Sequence, residues 1–188
     1  MDYRVIRSNR KTLGLQLTED GIVVRAPYFV TSTQIDRFVQ EHSAWIQTQL
    51  RKQAEKRAAF AAVKVMTPQQ FERLKKIARK KVPERIAYYA PRIGVSSRVG
   101  RIFIRCQKTK WGSCSVNGNI NINCLLLLAP PEVLDSVVVH ELCHLKQMNH
   151  SKFFYAEVRR AFPEYNKWNK WLKENGPMLW AMVPEGER

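Results

Sequence analysis

The chain has 188 residues, 45% of them hydrophobic and 26% charged, which is enough for a full globular core. Its longest purely apolar run, residues 125–131, is far too short to span a bilayer, and the opening Met-Asp-Tyr-Arg-Val-Ile-Arg lacks the apolar stretch of an export signal. Both argue against a secreted or integral membrane protein. The net charge of +16 is spread along the chain and favours anionic partners such as nucleic acid, nucleotides or acidic proteins.

Residues 3–26 read as strands and turns. Leu13, Leu15 and Leu17 alternate with Gly14 and Gln16, a turn is expected at Asp20-Gly21, and Ile22 to Pro27 forms the returning arm. Thr31 or Ser32 can cap a helix running to about Arg57, with Ile35, Phe38, Val39, His42, Trp45 and Ile46 at helical spacing. This gives an N-terminal β-hairpin and helix module over 1–66, followed by a larger α+β domain over 67–188, the two expected to form one compact unit. Thr67-Pro68-Gln69-Gln70 reads as a capping box with Pro at the first helical position. Pro83 should kink or restart that helix. Its polar face carries Arg73, Lys75, Lys76, Arg79, Lys80 and Lys81, a solvated strip or a phosphate-contact strip.

Residues 101–105 have period two and read as a strand. Asn117-Gly118 is a hairpin turn into Asn119-Ile120-Asn121-Ile122-Asn123, with the isoleucines facing the core and the three asparagines on the other face. Ala129-Pro130-Pro131-Glu132 then opens a further helix. Two more helices follow, Ser151 to Phe162 and Glu164 to Asn175, the second stopped by Asn175-Gly176-Pro177. Cys106, Cys114, Cys124 and Cys143 contain no CxxC pair and read as reduced thiols of a cytoplasmic protein.

Three of the four histidines fall within eleven residues, around His140-Glu141-Leu142-Cys143-His144. Two histidines four positions apart on a helix lie one turn apart, so both imidazoles can bind one cation, and the intervening glutamate can handle its water. At about 100° per residue Leu134, Val138, Leu142 and Leu145 cluster on the opposite side. Catalytic zinc usually takes three protein ligands and keeps one position open. His150 is the first choice for the third, swung back by Asn149 in the left-handed conformation; Glu157 is the competitor. Cys143 is expected to pack rather than ligate.

The stretch Val137 to Lys146 with Asn149-His150-Ser151 and Phe153-Phe154, preceded by Lys110-Trp111-Gly112-Ser113-Cys114-Ser115, Gly118-Asn119-Ile120-Asn121 and Ala129-Pro130-Pro131, resembles the YgjP-like metallopeptidases. The resemblance extends to Arg10-Lys11-Thr12-Leu13, Ala26-Pro27 and Trp45-Ile46. It implies an α+β, zincin-like domain with a small curved sheet, an HExxH active-site helix and flanking helices, related to the SprT-like and WLM proteases, and it supports His150 as third ligand. The histidine spacing is also that of metzincins, but Gln147 occupies the place of their glycine and only Met178 could serve a methionine turn.

The chemistry expected is zinc-dependent hydrolysis of peptide bonds, with Glu141 activating a zinc-bound water, on substrates that include nucleic-acid-associated proteins. Trp111 is expected as a substrate wall or a core aromatic, and Asn121 and Asn123 as substrate-orienting amides. Two other readings stand beside it. Some members of the resembling family carry an assignment as nucleotide pyrophosphatases; such a nucleoside triphosphate pyrophosphohydrolase would hold phosphates with Lys108, Lys110, Arg101 and Arg105, although no Gly-rich phosphate loop is present. A non-enzymatic zinc module on nucleic acid would have no use for Glu141.

Overall fold

The computed structural model describes residues 2–18 and 21–187, with the side chain of Lys56 outside that description. Two compact units emerge, Met1–Ala62 and Val63–Arg188. In the first, β1 (Tyr3–Ser8), β2 (Gly14–Thr18) and β3 (Gly21–Pro27) form a sheet with β3 in the centre, parallel to β1 and antiparallel to β2. The expected Asp20-Gly21 turn falls partly on residues 19–20, outside the described residues. Ile22, Val24 and Ala26 of β3 pack with Ile35, Val39 and Ile46 into a small core.

The single helix expected after Thr31 is two helices, α1 (Ser32–Glu41) and α2 (Ser43–Ala61). Thr31 caps the first through a reciprocal box with Gln34. The break comes at His42, whose Nδ1 lies 2.8 Å from the Phe38 carbonyl. A side chain bonding back to that carbonyl competes with the helical ladder, and the His42 backbone leaves helical values (φ −102°, ψ 11°).

In the second unit α3 (Pro68–Ile93) opens on the Thr67/Gln70 capping box with Pro68 in its first turn. It neither stops nor restarts at Pro83, but runs through Pro83 and Pro91 to Gly94 in the left-handed region (φ +79°). A proline inside a helix costs about 3 kcal/mol; the buried stripe of Phe71, Ala78, Val82, Ile86 and Ala90 outweighs it, at about 1.5–3 kcal/mol for each large side chain.

A second sheet has the order β4 (Ile102–Arg105), β6 (Ile120–Asn123), β5 (Gly112–Cys114), with β4 parallel and β5 antiparallel to β6. β5 is therefore an edge strand. The β5–β6 turn depends on Gly118 (φ +77°), where any side chain would also strike the Arg98 carbonyl. Ile120 and Ile122 are fully buried, as their alternation predicts. A 3-10 turn, Cys124–Leu128, leads into α4 (Pro131–His144), then α5 (Lys152–Ala161), capped by Ser151, and α6 (Tyr165–Ala181).

The stop expected at Asn175-Gly176-Pro177 does not operate, and α6 continues through it. Gly176 is pressed against Trp111, where a Cβ would come within 2.7 Å of the ring, and Leu179 and Val183 beyond the proline are buried. Tertiary packing overrides the local signal here. Met178 lies inside this helix, so it forms no methionine turn. Among the described residues no helix is long and apolar enough to cross a membrane.

Candidate metal centre

The apolar side of α4, Leu134, Val138, Leu142 and Leu145, is buried in the core, which turns His140 and His144 together to the other side. Their Nε2 atoms lie 3.2 Å apart. After His144 the helix winds down through Leu145 N–H to Leu142 O and Gln147 N–H to Cys143 O. The left-handed Asn149 expected at this point is absent: among the described residues none but glycine has positive φ. The winding-down turn and the Ser151 cap of α5 reverse the chain without it. His150 returns with its Nε2 3.0 Å from that of His140, and one nitrogen from each of the three rings falls within 4.8 Å of the others. Glu157 stands outside this group, bonded to Lys146 (3.1 Å) and Arg160 (2.8 Å), which hold its carboxyl below the usual range.

The ring protonation can be argued from the partners. His144 Nδ1 lies 3.1 Å from the Gln147 carbonyl, which can only accept, so Nδ1 carries the proton and Nε2 keeps its lone pair. Burial, then the neighbouring His144 and His150, pull His140 down to about 3, and burial lowers His144. His140 Nε2 faces the Nε2 atoms of His144 and His150 at 3.2 and 3.0 Å, a spacing at which the three rings can share one cation. A tetrahedral ion with bonds of about 2.0–2.1 Å would set its ligand nitrogens about 3.3 Å apart. The donor set thus fits zinc, and the fully buried Phe154 ring lies 4.9, 4.5 and 4.9 Å from the rings of His140, His144 and His150.

Glu141 is 5% exposed. Burial pushes its carboxyl up to about 8, with Lys110 opposing. The edge strand β5 passes so close that a Cβ on Gly112 would meet Glu141 Oε1 at 2.5 Å and Cγ at 2.8 Å; only glycine leaves the carboxylate its place. Beside it opens a cavity of about 180 Å³, lined among others by Lys110, Trp111, His140, Glu141, Tyr165 and Asn169. His140 Nδ1 lies 2.9 Å from the Tyr165 hydroxyl, itself buried and raised to about 12 chiefly by that burial. Tyr165 and Asn169 stand one turn apart on α6, and no local pattern singled out either; the Trp-Gly step at 111–112 was the only sequence trace of the contact with Glu141.

Trp111 lines this cavity while its ring packs on Gly176. Neither Asn121 nor Asn123 lines the cavity. Asn121 donates to Ser113 Oγ across the hairpin (3.1 Å). Asn123 is 2% exposed, not on an open strand face; it donates to the carbonyls of Gln107 (2.9 Å) and Lys110 (3.1 Å) and accepts from Leu125 N–H. Cys143 is fully buried among apolar neighbours, and burial raises both it, to about 12, and Cys114, to about 11. Of Lys108, Lys110, Arg101 and Arg105, Lys110 alone lines the cavity at Glu141.

A sequence profile described as the YgjP-like, metallopeptidase domain matches residues 11–72 and 69–175. No curated protein matches the chain. Among solved structures, the metallopeptidase zymogen abylysin of Pyrococcus abyssi is similar at 25% identity, covering 50% of this chain and 93% of its own, with a TM-score of 0.45. The metallopeptidase zymogen jannalysin of Methanocaldococcus jannaschii is similar at 21% identity, covering 50% and 96%, also with a TM-score of 0.45.

Proposed function

The chain belongs to the YgjP-like metallopeptidase family, and from that premise we propose that His140, His144 and His150 hold the zinc of this metallopeptidase while Glu141 moves the protons of peptide hydrolysis. The observation that carries the reading is the convergence of three imidazole nitrogens with a buried carboxylate one residue from the first. When bound, zinc supplies a Lewis acid that acidifies a water and polarises a scissile carbonyl.

The chain's own residues do the rest. Glu141 takes the proton of the attacking water and later gives it to the leaving amine nitrogen. Its seat against Gly112 fixes where that carboxylate stands. Tyr165 accepts the Nδ1 proton of His140, and the Gln147 carbonyl accepts that of His144, which holds each ring with Nε2 toward the ion. The free edge of β5 can pair with an extended substrate backbone, and the cavity beside Trp111 takes one of its side chains.

The size of that cavity, about 180 Å³, lies below the roughly 300 Å³ at which pockets begin to enclose drug-sized ligands. It supports a peptide over a nucleoside triphosphate, as does the single lysine beside Glu141. The charge of +16 supports substrates carried on or near nucleic acid.

The test is cleavage of a DNA-binding protein by the zinc-loaded chain, beside Glu141→Ala, with and without DNA. New peptide termini with wild type alone, at equal zinc content, are expected, and DNA should raise the rate. Intact substrate together with pyrophosphate release from a nucleoside triphosphate would overturn the reading.

A further inference from the structure

A second cavity of about 430 Å³ opens where α3 passes the Cys124–Leu128 turn and the start of α4. Its apolar lining is Ile77, Leu126, Leu127, Ala129, Pro131 and Leu134. Ile77 is 44% exposed. Leu134 and Asp135 lie about 120–140° round the helix from His140 at the α-helical 100° per residue, so this groove is separate from the histidine site. Its polar wall is already engaged: Arg85 donates to both oxygens of Asp135 (2.6 and 2.8 Å), and the Tyr89 hydroxyl donates to the same carboxylate (3.2 Å).

The outer face of α3 continues the groove, sharing Ile77 and Lys81 with it and adding Arg73, Lys76 and Lys80 around a shallow depression. Among the described residues these three cations have no carboxylate within ion-pair distance, whereas Lys81 has Glu84 at 3.0 Å and Lys75 has Glu72 and Glu187. An apolar trough thus borders a row of unpaired positive charge on one helix.

We infer that this surface docks an acidic segment of a protein partner, an apolar side chain entering the groove while neighbouring carboxylates meet Arg73, Lys76 and Lys80. Apolar lining and unpaired cations side by side ask for both features in one ligand. Nucleic acid answers only half of this: no aromatic ring lines the groove for a base to stack on, and Arg85 is committed to Asp135, so phosphates would use the rim and leave the groove wet. A second copy of the chain would bring another +16 against the first. The docking stands apart from the peptidase reading; its use, as a second contact for a protein cut at the histidines, rests on that reading.

The experiment is fluorescence anisotropy of the full chain with a short labelled peptide of glutamate and serine bearing two leucines one helical turn apart. Comparison probes are the same peptide with serine for leucine and a single-stranded oligothymidylate. The leucine peptide should bind, and losing its leucines should weaken it by about tenfold or more. Leu127→Asp should weaken it equally, as should Ile77→Ser, a change at an exposed position that the fold tolerates. Lys76→Glu with Lys80→Glu should weaken it and flatten its salt dependence. Equal binding of the leucine-free peptide, no binding of either peptide, or indifference to the groove variants would overturn the proposal. Tighter binding of the oligothymidylate would assign the strip to nucleic acid instead. Cleavage of a short neutral peptide, run on the same proteins, should be unchanged by the groove variants. Its absence throughout, with probe binding intact, would strike the peptidase reading and leave the docking surface standing.

Discussion

His140, His144 and His150 and the asparagines 119, 121 and 123 are two sets of three polar side chains that simple spacing places together, yet the first set converges on a point and the second disperses. Each ordered imidazole has two polar ends, and in His140 and His144 the Nδ1 end is satisfied by Tyr165 and Gln147, which leaves Nε2 for the centre. The asparagines meet backbone and hairpin partners instead: Asn119 accepts from Arg101 N–H (2.9 Å), Asn121 reaches Ser113, and Asn123 ties down residues 107, 110 and 125. His140 and His144 thus keep a ring nitrogen for the centre, whereas each asparagine spends at least one of its groups on the fold.

Five substitutions press on that contrast. Glu141→Gln, nearly the same shape without a base, should lower kcat by about 10²–10⁴ at unchanged zinc stoichiometry, read by steady-state kinetics beside metal analysis. Gly112→Ala drives a methyl into the space of Glu141 Oε1. A displacement of about 1 Å can cost about a hundredfold in rate, and zinc content should not change; an unaltered rate would remove the carboxylate's seat from the account.

Tyr165→Phe removes the group at His140 Nδ1 while keeping the buried ring. Loss of an outer-shell partner typically weakens metal binding about 10–100-fold, measurable by chelator competition without any substrate. Asn123→Ala should cost about 1–3 kcal/mol of stability, since it strands the buried Leu125 N–H and loses part-buried bonds to the carbonyls of Gln107 and Lys110, whereas Asn121→Ala, losing one hairpin bond, should cost about 0.5–1.5 kcal/mol. Urea unfolding gives both values. A normal midpoint for Asn123→Ala with turnover reduced would instead return that amide to substrate binding.

Read in chain order, much of the architecture was legible. The cap at Thr31, one of the two residues that could serve, the capping box at Thr67, the Asn117-Gly118 turn and the alternation of Ile120 and Ile122 are local, short-range signals, and they stand in the structure. Breaks and continuations were less so. His42 divides a helix that its apolar spacing joins, and Pro83 and Gly176-Pro177 sit inside helices that their chemistry would end. In each case a contact outvoted a propensity: a ring bonded to Phe38, a buried stripe along α3, an indole pressed on Gly176.

By itself the sequence determined the pairing of His140 with His144 and the place of Glu141 beside them, because the helical period puts residues four apart on one face and needs no other part of the chain. It narrowed the third position to two candidates and stopped there. The tertiary structure brings His150 beside His140 and pairs Glu157 with Arg160 and Lys146 instead. It also brought Tyr165, Phe154 and Gly112 to the site from three other segments. Their roles depend on distances between elements that no local period encodes, so they became visible only once the helices and the second sheet were packed.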